Sequence, residues 1–275
     1  MSFTKHEKNG VVFHTADAFT AAGCVRHGFA SRLGGVSAGA LASLNLSFSR
    51  GDDPEAVREN YHRLCTALGT DENRLVLTHQ VHSDDVRVAT AADILPDLTA
   101  PIPYETDGLI TNEPGLCLTI YYADCIPVLL CDPKKRVIGA VHSGWRGTAQ
   151  DIVPKVIAKM QLLYGCDPSD ILAAIGPGIG PCCFETHDDV PTALQAALGP
   201  DVAPYTRPQT NAPGKYAVDL KGILTWRLQT AGLPPSHIDT LPLCTGCHPE
   251  LYWSHRKLGS ARGNHGAMIA LGGGG

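Results

Sequence analysis

From Leu116 to Trp145 the chain passes through three short apolar runs, LCLTIYYADC, VLLCD and RVIGAVHSGW, with polar breaks between them. Runs of this length, rich in Val, Ile, Leu and Tyr, predict three successive strands. The same pattern recurs elsewhere. DILAAIGPGIG predicts a strand running into a tight glycine loop. HIDTLPLCTGC and GNHGAMIAL predict further strands, and a short strand signal lies near Val25. NRLVLTHQVHSDDVRVAT predicts two strand segments around a polar turn, followed by a proline-rich connector from Ile94 to Thr106.

Helices are fewer. Asp53-Pro54 is a cap followed by proline at the first helical position. Val57, Tyr61, Leu64, Cys65 and Leu68 then repeat at helical spacing up to Gly69. Thr148, with Asp151 three residues on, predicts a capped helix. Its apolar stripe is Ile152, Val153, Val156, Ile157, Met160 and Leu163, with a bend at Pro154. Val190 to Leu198 predicts a short helix, and YAVDLKGILTWRLQTAG a strand leading into another.

No internal repeat, P-loop or GxGxxG after the first strand is present. Strands outnumber helices and connections vary in length. The expected fold is therefore α/β: mixed β-sheets packed in layers with peripheral helices, in a single domain over residues 1–275. Gly272–Gly275 is expected to be a flexible tail. With 275 residues and 44% hydrophobic content, core size is not limiting.

A formal net charge of -5 gives no bulk attraction to nucleic acid or anionic membrane. No 18-residue uncharged apolar stretch indicates a membrane span. The first residues lack a signal-peptide pattern, so a cytoplasmic location is expected. The chain is large enough not to need disulfide staples for its ten cysteines. Cys65 and Cys117 read as buried small apolar residues.

Chemistry concentrates in a few places. Asp124 and Cys125 follow one predicted strand, and His142 ends another. A histidine of HQVH, His79 or His82, can supply a third group. His, Cys and His form a catalytic zinc pattern with an open fourth position. Without metal, the same atoms make a thiolate–imidazole pair. Spacing leaves both open. Arg146, before a predicted helix, suits an anion. In GPGIGPCCFE the glycines admit close backbone approach. Cys183 reads as a buried thiol, and Glu185 as a proton-transfer group or an orienter of a ligand histidine. CTGCH has the form of a haem attachment or half a zinc site, but no matching half with orthodox spacing follows it.

Taken together, SRLGGVSAGALASLNLS, HQVHSDDV, ETDGLIT, ADCIPVLL, VHSGWRGT, IGPGIGPCCFE, YAVDL and CTGC followed by YWSHR resemble the YfiH-like proteins. These are also called the multicopper polyphenol oxidase (laccase-like) domain family. The resemblance covers nearly the whole chain. It implies a zinc ion on His82, Cys125 and His142, with copper as the other candidate metal. It also implies phosphorolysis of adenosine, inosine, guanosine and methylthioadenosine, with adenosine deamination as a second activity. Phosphate and purine nucleosides are then the expected partners.

On that reading Arg146, helped by Arg32, is expected to hold phosphate, and Asp124 or Glu185 to transfer a proton. Asn45 and Arg256 are expected at the substrate. Three other functions compete: a metal-free cysteine hydrolase using Cys125 and His142, a copper-dependent phenol oxidase, and a non-catalytic nucleoside-binding protein. The twelve histidines include no His-x-His pair. That weakens the multicopper reading, which needs many histidine ligands.

Overall fold

The computed structural model describes residues 2–272. Two six-stranded mixed sheets face one another. The first has the order β1 (Phe3–Lys8), β2 (Val11–Ala16), β3 (Val25–Ala30), β15 (His265–Leu271), β7 (Cys117–Tyr122) and β4 (Leu75–Val76). The second has the order β14 (Ile238–Thr240), β10 (Leu172–Ile175), β8 (Ile126–Asp132), β9 (Val137–Ser143), β6 (Gly108–Thr111) and β5 (Val86–Val88). Most pairs are antiparallel, while β4 with β7, β5 with β6 and β10 with β14 are parallel. A small third sheet holds β11 (Glu185–Thr186), β13 (Tyr216–Val218) and β12 (Thr206–Pro208).

Side-chain alternation builds the layers. Phe29, Leu118, Ile120, Ala267 and Ile269 of the first sheet meet Leu109, Leu129, Ile138, Ala140 and Ala174 of the second. The opposite faces of both sheets carry helices. On the first, Phe13, Met268 and Ala270 pack against α2 (Pro54–Leu68) through Val57, Tyr61, Leu64 and Leu68. On the second, Val128, Leu130 and Val141 pack with α4 (Ile152–Tyr164) and α6 (Leu220–Thr230), and α5 (Asp189–Leu198) joins the same core. Each large side chain so enclosed contributes roughly 1.5–3 kcal/mol. The short helices are α1 (Asp17–Ala22), α3 (Trp145–Ala149) and α7 (His255–Leu258).

The expected layered α/β fold is the one observed. The Asp53 side chain accepts from the Glu55 amide, and Gly69 closes α2 at φ 72°. Several local expectations differ. Thr148 does not cap α4; it lies inside α3, where its hydroxyl donates to the Gly144 carbonyl. Asp151 precedes α4 at φ 62°, and its carboxylate binds Arg227. Pro154 sits in the first turn of α4, where a missing amide costs no helical hydrogen bond. The two strands around HQVH belong to different sheets, so the intervening turn bridges the layers. Of the expected glycine tail, Gly272 is bonded through its amide to Cys24 and through its carbonyl to Arg136. Gly273–Gly275 lie outside the described residues. No helix among the described residues is long and apolar enough to cross a membrane.

A candidate metal centre in an inter-sheet cavity

The layered packing brings three chain crossings together. Cys125 lies between β7 and β8, each of which belongs to a different sheet. His142 is near the end of β9, opposite Pro127 in the β8–β9 register. His82 comes from the turn that joins β4 to β5. The ligand atoms of His82, Cys125 and His142 all lie within 4.8 Å of one another, with Sγ of Cys125 3.7 Å from Nε2 of His82.

A buried carboxylate that sequence reasoning missed organises this centre. Asp107 is fully enclosed just before β6. Its Oδ1 accepts from Nδ1 of His142 at 2.7 Å and from the His82 amide at 3.1 Å. Its Oδ2 accepts from the amides of Val81 and Ser83 and from the Ser83 hydroxyl. The bond to His142 Nδ1 leaves Nε2 of that ring for a ligand, the usual support for a metal-bound histidine. The turn it holds is tight, with His82 at φ 62°. Asp107 was present in ETDGLIT, but nothing local tells a strand-preceding aspartate from a surface one.

The donors suit a metal. A Cβ on Gly144 would lie 2.9 Å from the His82 ring and 3.0 Å from Sγ of Cys125, so only glycine leaves the space these ligands use. Without metal, burial alone would raise the Cys125 thiol, but the His142 and His82 imidazoles outweigh it and bring it down to about 6. Burial opposes the charge on His142, yet the Cys125 thiolate and Asp107 raise it to about 9. In chelator-treated protein, alkylation of the Cys125 peptide should therefore reach half its plateau near pH 6. The thiolate form grows as pH rises through that value, against about 8.5 for an ordinary thiol. Mass spectrometry of the labelled peptide reads this directly, and a half-plateau above pH 8 would contradict it.

The centre opens on a cavity of about 650 Å³ lined also by Phe48, Arg50, His79, Gln80, Tyr121, Arg262 and Asn264. Arg262 is buried and donates to the Gly263 carbonyl, to the Asn264 side chain and to Nδ1 of His255, with no carboxylate partner among the described residues. Burial, reinforced by Arg50, lowers its guanidinium to about 10. Nε of Arg50 is buried without a hydrogen-bond partner. Two guanidiniums with no carboxylate partner among the described residues line one space, an arrangement suited to an anion. Neither was singled out from SFSRGDDP or ARGNHG, because only the fold brings residues 50 and 262 together.

The other expected site residues sit elsewhere. Arg146 is exposed and stacks on Trp145, 4.4 Å from the ring, without lining the cavity. Both Nε and Nη2 of Arg32 donate to the Ala42 carbonyl, and its Nη1 donates to that of Pro249. Asp124 accepts from the Thr245 and Ser254 hydroxyls and from the Arg256 amide. Its carboxylate thus fixes the turn before Cys125, at φ 89°, and does not line the cavity. Glu185 pairs with Lys215, and Asp107 takes the histidine-orienting place considered for it. Arg256 donates to the Cys183 and Glu185 carbonyls. Asn45 is enclosed, bonding Ser47, Asp52 and the Asn264 amide, so it braces two cavity-lining segments from behind. His79 lines the cavity beside the centre but is not one of the three clustered ligands.

Known proteins are similar to this chain over most of its length. Purine nucleoside phosphorylase YlmD of Geobacillus stearothermophilus is 39% identical over 247 residues, 89% of this chain and 88% of the relative. The crystal structure of YlmD from that organism superposes with a TM-score of 0.89 at 35% identity, covering 98% and 99% of the two chains. The hypothetical protein YfiH of Bacillus licheniformis superposes with a TM-score of 0.87 at 30% identity, covering 98% of each. The family described as multi-copper polyphenol oxidoreductase laccase matches residues 26–272, and the chain belongs to that family.

Proposed function

We propose that this protein is a zinc-dependent purine nucleoside phosphorylase acting on adenosine, inosine, guanosine and methylthioadenosine. One observation carries the proposal: a His–Cys–His centre and two guanidiniums without carboxylate partners among the described residues share one cavity. The names of the relatives supply the substrate class.

Zinc fits the donors better than copper does. Two imidazoles and a thiolate with a free fourth position match a catalytic zinc site. Among the described residues the other cluster of metal-ligating side chains contains no histidine, so a multicopper arrangement has no second histidine centre. Bound there, zinc supplies a Lewis acid for an oxygen ligand.

The chain's own residues do the rest. Arg50 and Arg262 gather phosphate and hold it in the cavity. Phe48 and Tyr121 offer aromatic faces to the purine, and Gln80 and Asn264 offer amide groups to its edge or to the ribose. In phosphorolysis the bond from C1′ to the purine nitrogen breaks, and its electron pair leaves with the base. A phosphate oxygen bonds to C1′, and the purine takes up a proton. The products are free purine and ribose 1-phosphate.

The test is release of hypoxanthine from inosine, with and without phosphate and after chelation. Phosphate-independent release, or activity unaffected by proven metal removal, overturns the proposal. The two outcomes together point to a metal-free hydrolase, which the depressed Cys125 thiol would serve. Ammonia release from adenosine tests the second activity in the same preparation. Arg50→Ala should raise KM for phosphate roughly 10- to 100-fold, since a charged hydrogen bond contributes about 1.5–3 kcal/mol. An unchanged phosphate KM removes Arg50 from the anion site.

A further inference from the structure

A second cluster of metal-ligating side chains lies outside the cavity. The Sγ atoms of Cys182, Cys183, Cys244 and Cys247 all lie within 4.8 Å of one another. Two tight turns face each other to make it. In one, the Cys183 and Phe184 amides donate to the Gly180 carbonyl; in the other, the Cys247 and His248 amides donate to that of Cys244. A backbone bridge between Gly178 and Cys244 fixes the two turns together. We propose that these four cysteines hold a structural zinc ion, independent of the His82–Cys125–His142 centre.

The geometry is that of a tetrathiolate site. Four sulfurs about 2.3 Å from a tetrahedral zinc stand about 3.8 Å apart. Here Cys247 lies 3.3 Å from Cys182 and 3.5 Å from Cys183, so small shifts reach that arrangement. Half of the ligand set is Cys-x-x-Cys; the other half precedes it in sequence as a vicinal pair, which is why spacing alone concealed it. The backbone is cut to fit. A Cβ on Gly246 would lie 3.0 Å from both Cβ and Sγ of Cys183, and one on Gly180 would lie 3.4 Å from Sγ of Cys182.

One of the four sulfurs already accepts a backbone hydrogen bond. The Gly180 amide donates to Sγ of Cys244 at 3.2 Å. Burial opposes charge on Cys244, but this amide and those of Cys247 and Gly246 hold its thiol below the ordinary value. Four thiolates and one zinc leave a net charge of about −2. A buried cation is already in place against that charge. Nζ of Lys221 donates to the Leu241 and Leu243 carbonyls; burial lowers it to about 8, against the opposing pull of Cys244, Asp219 and Cys182.

The ion would also brace the cavity. Thr245, between two of the ligands, donates to Asp124 at 2.6 Å, and Asp124 shapes the turn that presents Cys125. The Ile179 amide binds the Asp124 carbonyl from the facing loop.

Metal analysis of the whole protein tests this without reference to nucleoside chemistry. The wild type should carry two zinc equivalents. Cys125→Ala should carry one and, reloaded with cobalt, show the intense thiolate-to-cobalt charge transfer of a four-sulfur site. The double variant Cys182→Ser, Cys247→Ser should carry one and lack that four-sulfur spectrum. It should also melt at a lower temperature. A single wild-type equivalent that Cys125→Ala loses, an unchanged zinc content in the double variant, iron in place of zinc, or a disulfide from Cys182 to Cys247 overturns the proposal. Because the wild-type stoichiometry and the Cys125→Ala spectrum stand by themselves, poor folding of the double variant would not leave the question open.

Discussion

Cys125→Ala is expected to abolish phosphate-dependent cleavage of inosine and to remove one equivalent of metal. The substitution deletes the only sulfur among the three ligands and leaves His82 and His142 as a weak pair. Losing an outer partner of a ligand typically costs about 10–100-fold in metal affinity or activity. Losing the ligand itself should cost more, at least about 10²-fold in kcat/KM, or roughly 2.7 kcal/mol of transition-state stabilisation. Metal content by elemental analysis and steady-state kinetics on the same sample check it. Undiminished metal with lost activity would make Cys125 a nucleophile instead of a ligand. Full activity would remove it from the site altogether.

Asp107→Ala should be the more damaging change to the fold. Five donors converge on this carboxylate: the His142 ring, the amides of Val81, His82 and Ser83, and the Ser83 hydroxyl. Removing one partner of a buried charged pair costs about 3–5 kcal/mol. A thermal or denaturant melt should show that loss. Metal affinity should also fall about 10–100-fold as the His142 ring loses its anchor. Asp107→Asn keeps the volume and one acceptor, so it should melt nearer the wild type while still binding metal weakly. A metal affinity unchanged in the Asn variant would mean that the carboxylate serves only the turn.

The pH dependence has a definite sign. Burial alone would raise the Asp107 carboxyl, but His142 and the surrounding amides hold it below the usual carboxylate range. Its stabilising contribution is therefore present above the ordinary carboxylate pKa of about 3.9 and is lost as pH falls through its lower folded value. That component of the acid limb should be missing from the Asn variant.

Much of the local structure was legible before any coordinates. The Asp53-Pro54 cap and its helix, the three successive strands, and the strand entering the glycine loop depend on neighbours in sequence. So do apolar alternation and turn chemistry. Local pattern and position in the fold part company where a neighbour in space takes a side chain. Thr148 has the form of a cap, but Asp151 with its Arg227 partner is the residue at the entry to α4. Arg146 stands before a helix in the manner of an anion-binding residue, yet it stacks outward on Trp145 while Arg50 and Arg262 face the cavity. Asp124 has the form of an acid poised beside a thiol, but three donors from residues 245–256 hold it as a brace.

By itself the sequence determined which residues form strands and helices, because propensity and periodicity act over a few residues. It also determined which side chains were able to hold a metal, because thiolate and imidazole chemistry belongs to the side chain. Only the tertiary structure decided which of them meet. Two sheets stacked face to face bring residues 82, 125 and 142 to one edge of a cavity and residues 50 and 262 to its walls. Two facing turns bring Cys182 and Cys183 onto Cys244 and Cys247. Sequence spacing carries no distance between such segments; the packing of the layers supplies it.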